Sequence, residues 1–249
     1  MKPIDNMELS VNYPPVSFVI PAHNEANYLP ATLEAIKAAC NQLQLGFEII
    51  VVNDASSDET AKRAAEFGAR VIDVNLRNIG AVRNAGAAQA RFDHLIFVDA
   101  DTLVPLLTLQ QTLAAFASGS VGGGARVDIT KDRPLPMTKY LMYLAVYIGW
   151  QMIGRWAAGC YMFCLKAPFF EFGGFDEEYY AAEEYFFSRN LKARGRFTLV
   201  HQPVITSSRK LHAYSCWQLM RFLTRPMLAG RQLFRSKVGL EILYEDPRA

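Results

Sequence analysis

The 249-residue chain has only four cysteines, Cys40, Cys160, Cys164 and Cys216, and none of them form a C-x-x-C pair. A disulfide scaffold and a zinc finger are therefore both excluded, and buried thiols of this kind are usually inert. Charge of one sign is also missing. Lys and Arg number 26 against 24 Asp and Glu, a net +2, so nothing drives the whole chain toward nucleic acid. No G-x-G-x-x-G follows the first apolar run, and neither G-x-x-x-x-G-K-[ST] nor G-x-S-x-G occurs. A Rossmann dinucleotide site, a P-loop and a hydrolase nucleophile elbow are therefore unsupported. The N-terminal "MKPIDNMELS" is polar and does not read as a signal peptide, so a cytoplasmic, reducing location is expected. Long apolar runs are scarce. "YLMYLAVYIGW", Tyr140–Trp150, is the candidate, and its uncharged continuation stops at Arg155, short of the ~20 residues a spanning helix needs. A buried core helix is expected there, with an interfacial or acceptor-binding helix as the alternative.

What is present is alternation. "VSFVI", "FEIIVVND", "ARVIDV" and "HLIFVD" read as strands, the second rich in β-branched residues. Between them "NYLPATLEAIKAACNQL", "ETAKRAAEFG" and "IGAVRNAGAAQAR" read as helices, and "PLLTLQQTLAAFASG" follows with Pro105 at its start and Gly119 at its end. Such repetition predicts an α/β fold with a mostly parallel central sheet flanked by helices. Sheets of this kind bind ligands beyond the carboxyl ends of their strands. Those ends are Pro21 to Glu25, Asn53-Asp54, Leu76 to Asn78 and Asp99-Ala100-Asp101, all polar or charged. The second half is less regular: "VGGGARVDIT" and "AAGCYMFCLK" suggest strands, and "FFEFGGFDEEYYAAEEYFFSRNLKARGRF" a turn, an acidic cluster and a helix. One domain is expected over 1–249: a regularly alternating half (14–130), a less regular half (131–212) and a basic helical tail (213–249).

The strand ends suggest one chemistry. An extended Asp99-Ala100-Asp101 would point both carboxylates to one side. Two hard oxygen donors suit Mg²⁺ or Mn²⁺ completed by phosphate oxygens. Asp54 can accept hydrogen bonds from a base or sugar, or simply cap a turn. Arg77 and Arg83 flank a helix start, and arginines and helix N-termini both favour phosphate; a surface role is the plainer reading of Arg83. Metal, arginine and helix terminus together suit a bound diphosphate.

The blocks "FVIPAHNEANYLPATLEAI", "EIIVVNDASSDET", "RNIGAVRNAGAAQA", "LIFVDADT" and "FGGFDEEYYAAEEYFFSRNLKARG" resemble, in order, those of family 2 glycosyltransferases of the GT-A fold. The resemblance runs from about Val16 to His212. It implies transfer of a hexosyl-type sugar from a UDP- or GDP-sugar, with inversion and a Mn²⁺ or Mg²⁺ cofactor. It places Pro21, Ala22, Asn24 and Glu25 in the first nucleotide-contacting loop and Asp54 at the base. Gly80, Arg83 and Asn84 fall near the phosphates and ribose. Asp101 becomes the metal ligand, with Asp99, beside Ala100, nearer the ribose or a metal-bound water. Gly173, Gly174, Phe175 and Asp176 shape the acceptor side. The chain departs from the family at Glu183-Glu184, where Glu-Asp is usual; by position Glu184 is the general base and Glu183 the runner-up.

Further positions stay open. Arg209 and Lys210 could reach phosphate, His201 or His212 could add a metal ligand, and Tyr179 or Tyr180 could stack on an acceptor sugar. From Arg209 to Lys237 there are seven Lys or Arg and no acid. This block is either a solvated helix face or a contact with an anionic partner, including peripheral membrane contact. Expected partners are a nucleotide-sugar and a sugar or lipid-linked acceptor. The rival readings are a nucleotidyltransferase of similar fold, disfavoured because "PAHNEAN" replaces a Gly/Arg-rich loop, and a non-catalytic nucleotide-binding module.

Overall fold

The computed structural model describes residues 13–131 and 133–219. Four parallel strands form its first half: β1 (Val16–Ala22), β2 (Phe47–Asp54), β3 (Arg70–Val74) and β4 (His94–Val98). They alternate with α1 (Leu29–Gln42), α2 (Thr60–Glu66) and α3 (Ile79–Ala88). After β4 come β5 (Thr102–Leu103), α4 (Leu106–Ala117), β6 (Ser120–Asp128) and α5 (Met137–Tyr147), which runs into a π-helical segment, Ile148–Ile153. The chain then forms β7 (Tyr161–Leu165), α6 (Lys166–Glu171), α7 (Glu183–Lys192), β8 (Arg196–Thr206) and α8 (Arg209–Ala213). Strand order is β3-β2-β1-β4-β7-β6-β8-β5, with β7 antiparallel to both β4 and β6.

Burial on both faces explains the apolar runs. Phe18, Ile20, Ile96 and Val98 face a layer built with Leu29, Leu33 and Ile36 of α1 and Leu109 and Leu113 of α4. Val19, Val52, Leu95 and Phe97 face the other, with Val82 of α3, Phe169 of α6 and Phe187 and Leu191 of α7. Parallel strands covered on both sides lose the polar/apolar alternation of half-exposed ones. Gly123 is demanded by packing: a Cβ there would lie 1.8 Å from the Thr198 carbonyl oxygen of β8.

Four expectations change. β1 continues through Pro21 to Ala22, because pairing with β4 stops at Val19 while pairing with β2 runs on to Asn53. Pro21 thus has an unpaired side, where a missing N–H costs nothing. Asp99-Ala100-Asp101 is a turn, not an extended end, closed by the Thr102 amide donating to the Asp99 carbonyl at 3.1 Å. α5 is not a buried core helix: none of its residues is buried. The long strand β8, carrying Pro203, was not anticipated; its parallel register with β6 shifts between Ala125 and Arg126. The tail beyond Leu219 lies outside the described residues, and with it most of the basic block.

Candidate active site

Three strand ends of the parallel half meet through their loops. Asn24 has left-handed backbone (φ 55°), and its amide donates to Ser56 Oγ at 2.9 Å while its side-chain oxygen accepts from the Ser57 amide at 2.7 Å. The β1 and β2 exits are thereby stitched together. Asp54 Oδ1 accepts the Leu76 amide at 2.7 Å, and Oδ2 the Arg77 amide at 2.9 Å. Asp54 thus fixes the β3 exit, where Arg77 also takes a positive φ of 51°. His23, which the sequence did not single out, completes the rim. Its Nδ1 donates to the Asp54 carbonyl at 2.7 Å, and its Nε2 accepts from Arg77 Nη1 at 2.8 Å. These two bonds select one imidazole tautomer.

The centre of the site is Arg83. Its helix, α3, begins where the Asn78 side chain accepts the Ala81 amide at 2.9 Å, an N-cap worth about 1 kcal/mol. One turn later the Arg83 side chain, 2% exposed, reaches three acceptors. Nη1 donates to Glu183 Oε1 at 2.7 Å, and Nη2 donates to Asp99 Oδ1 and to the Gly159 carbonyl, both at 2.9 Å. Burial alone would lower its pKa, but Asp99 and Glu183 hold it above the ordinary arginine value. Arg83 therefore faces two carboxylates rather than solvent. It joins the end of β4 to the first residue of α7, 100 positions downstream.

The two glutamates differ. Glu183 is buried against its arginine counter-ion. Burial, and then the charge of Glu183, push the Glu184 carboxyl up to about 8, with Arg83 offsetting part of the rise. A carboxyl titrating there is matched to proton transfer near neutral pH. Ala182, the residue before the pair, sits in left-handed backbone (φ 63°). A non-glycine there costs of the order of 1–2 kcal/mol, and such strain collects at functional sites.

The Gly173–Asp176 turn is held by α3. Asn84 donates to the Phe175 carbonyl at 2.8 Å and accepts the Phe175 amide at 2.9 Å. Gly174 has φ 76°, and a Cβ on it would lie 2.6 Å from Asn84 Oδ1. A Cβ on Gly80 would press on Phe175 at 3.2 Å. The block around Gly80 and Asn84 thus packs against the Gly173–Asp176 turn. Tyr179 is buried and stacks on Phe186, and Tyr180 is half-buried.

On the opposite flank, Arg209 of α8 clamps Glu25 through both guanidinium nitrogens and lies 3.3 Å from Asp101 Oδ2. Burial would lower the Arg209 pKa, but Glu25 and Asp101 raise it. Asp99 and Asp101 accordingly face different arginines. Lys210 follows Arg209 in α8, but its side chain lies outside the described residues. No cluster of three or more His, Cys, Asp or Glu that could hold a metal occurs among the described residues, and His201 and His212 do not join the aspartate pair. Two carboxylates without a third protein ligand still fit a hard cation completed by phosphate oxygens. Cys160, beside Asp99, Asp101 and Arg83, has its thiol raised well above the usual range by burial and then by the aspartates; it is an inert wall. Gly159, missed in the sequence, matters through a backbone oxygen, which no side-chain pattern could reveal.

Residues 17–165 match Glycosyl transferase family 2. An undecaprenyl-phosphate 4-deoxy-4-formamido-L-arabinose transferase of Pseudomonas fluorescens is 45% identical over 97 residues, 36% of this chain and 28% of the relative. Its counterpart in Pseudomonas paraeruginosa is 39% identical over 124 residues, 47% of this chain and 37% of the relative. The matched stretch thus spans about a third of these curated relatives. Among solved structures, a mannosyltransferase from Pyrobaculum calidifontis in complex with GDP-Man and Mn²⁺ has a TM-score of 0.63 at 18% identity, covering 89% of this chain and 64% of that one. S. aureus TarS in complex with UDP-GlcNAc has a TM-score of 0.60 at 19% identity, covering 92% and 71%. With a family match over more than half its length and the same curled sheet, the chain belongs to glycosyltransferase family 2 and has its GT-A fold.

Proposed function

We propose that the chain transfers a sugar, with inversion and with a divalent metal, from a UDP- or GDP-sugar to a phosphate-bearing lipid carrier. The observation that carries this reading is the Arg83 bridge, which ties the D-x-D turn to the acidic pair. The UDP-GlcNAc, GDP-Man and Mn²⁺ held by similar structures support the donor, and the undecaprenyl-phosphate sugar transferases among the relatives support the acceptor. Asp101, with Asp99, would hold Mg²⁺ or Mn²⁺, which when bound neutralises charge on a leaving diphosphate.

The residues of the chain divide the remaining work. The rim of His23, Asn24, Asp54 and Arg77 receives the nucleoside. Arg209, beside Asp101, adds fixed positive charge where the diphosphate departs. The Gly173–Asp176 turn bounds the acceptor. Glu184 takes the proton of the acceptor oxygen as that oxygen attacks the anomeric carbon and the bond to the diphosphate breaks. The last proton of a phosphate monoester leaves near pH ~6, so a base titrating at about 8 can accept it. Glu183 is committed to Arg83 and serves as a positioning residue.

The test is a panel of UDP- and GDP-sugars titrated calorimetrically with Mn²⁺, followed by transfer to a polyprenyl phosphate. Asp101→Ala should abolish metal-dependent donor binding. Glu184→Gln should keep donor binding and lose transfer. Full transfer by Glu184→Gln would remove the base assignment, and no binding of any donor would remove the reading.

A further inference from the structure

α5 and the π-helical segment after it are built inside out. Their inward contacts are polar. Gln151 donates to the Ala125 carbonyl at 2.8 Å and accepts the Val127 amide at 3.3 Å. The Tyr143 hydroxyl donates to the Val127 carbonyl at 2.6 Å, and Trp150 Nε1 to the Ala157 carbonyl at 2.8 Å. Their outward residues are apolar. Met137 is 70% exposed, Leu141 55%, Ile148 43%, Met152 51% and Ile153 76%. Met137, Leu141, Ala145, Ile148 and Met152 recur at helical spacing, a single stripe about 24 Å long. Soluble proteins seldom leave so large a contiguous apolar face uncovered unless something docks on it.

The charge around the stripe is of one sign. Arg133 to Phe170 contains no Asp or Glu. Arg133 and Arg155 are exposed at the two ends of the helical element. Lys139, by contrast, turns inward to the carbonyls of Leu211 and Tyr214. Tyr140, which is exposed, and Tyr147, which is half-buried, supply amphipathic rings of the kind favoured at a membrane–water boundary. A second copy of the same face would oppose Arg133 and Arg155 to like charge. The C-terminal tail, residues 220–249, carries six Lys or Arg against three acids, Glu241, Glu245 and Asp246, so its net positive charge is also ill-matched.

We infer that this face lies in the surface of an anionic lipid bilayer, with the stripe among the acyl chains and Arg133 and Arg155 at the headgroups. The element lies flat: no helix among the described residues is long and apolar enough to cross a membrane. Trp156, just beyond the segment, packs on Tyr185 at 4.8 Å, so docking holds the bilayer next to the residue that follows Glu184. Docking by this face does not depend on the acceptor, and its test needs no turnover.

The experiment is co-sedimentation of the full chain with phosphatidylglycerol/phosphatidylcholine vesicles and with phosphatidylcholine alone. Binding should favour the anionic vesicles and weaken with salt. The variant Met137→Ser/Leu141→Ser/Met152→Ser/Ile153→Ser should cut the partition coefficient at least about tenfold, with circular dichroism and donor binding unchanged. Should it misfold, Leu141→Glu and Ile153→Glu alone should each lower binding several-fold. Unchanged binding by these variants would overturn the inference. So would absence of vesicle binding by the parent chain, or a dimer in light scattering that the quadruple variant dissolves. Loss of all binding on replacing Arg221, Arg225, Arg231 and Arg235 by Gln, with the stripe intact, would overturn it in favour of the tail.

Discussion

Two apolar stretches of similar composition meet opposite fates. "HLIFV" in β4 buries Leu95, Ile96, Phe97 and Val98 completely, between α1 and α4 on one side and α3, α6 and α7 on the other. "YLMYLAVYIGW" lies in α5 and the π-helical segment and leaves Leu141, Val146 and Ile148 open to solvent. Hydrophobicity is the same kind of quantity in both; what differs is whether the fold supplies a cover. β4 is paired on both sides, with β1 and β7. Among the described residues, α5 is attached by hydrogen bonds to the end of β6 and, through Lys139, to the carbonyls of Leu211 and Tyr214, and no α5 residue is buried. Apolar residues that fold inward work for stability, and those left outward are available for function.

The covered strand should be the more sensitive of the two to truncation. Phe97 packs its ring on Phe169, Phe175 and Phe187, and Phe97→Ala should cost about 3–5 kcal/mol in chemical denaturation. Removing Arg83 should be comparably severe. Arg83→Ala strands Asp99 and Glu183 without their buried partner, at about 3–5 kcal/mol, and should abolish transfer; Arg83→Lys should not rescue, because a single ammonium cannot span three acceptors.

Glu184→Gln should lower transfer by about 10²–10⁴-fold and yet stabilise the fold. The sign follows from the raised carboxyl. Between the unfolded value near pH ~4.3 and about 8, the folded state binds the extra proton. Stability of the parent chain therefore falls as pH rises through this window. The Gln variant lacks that loss, so its advantage in melting temperature should grow from pH 5 to pH 8 and then level off. An advantage that shrinks with pH would refute the assignment. Ala182→Gly should relieve left-handed strain, gaining about 1 kcal/mol. Leu141→Ser should be the mildest change, within about 0.5 kcal/mol in denaturation, and should sharpen the contrast with Phe97.

Much of the first half was legible because local signals agree there. Continuous β-branched runs, Asn78 before α3 and Gly68 after α2 mark a βαβ rhythm that neighbouring elements then enforce. Legibility failed where pairing is long-range. β8 was hidden because Pro203 and a register shift interrupt its pattern. The D-x-D was read as strand because β4 leads into it, yet the Thr102–Asp99 hydrogen bond bends it into a turn. In the site, residue types suggested a set of acids and arginines, and the fold brings Arg83 to Asp99 and Glu183 and Arg209 to Asp101. Residue types could not show that Arg83 turns inward to Asp99 and Glu183, because a buried ion pair spanning 100 residues leaves no periodic trace.

Local periodicity and motif spacing already carry the order of strands and helices in the first half and the family. Tertiary structure settles which carboxylate meets which arginine, which glutamate of the pair takes Arg83 as its counter-ion, and which apolar run is left exposed among the described residues. Those outcomes depend on distance, burial and dielectric environment, which arise only when segments far apart in the chain are packed together.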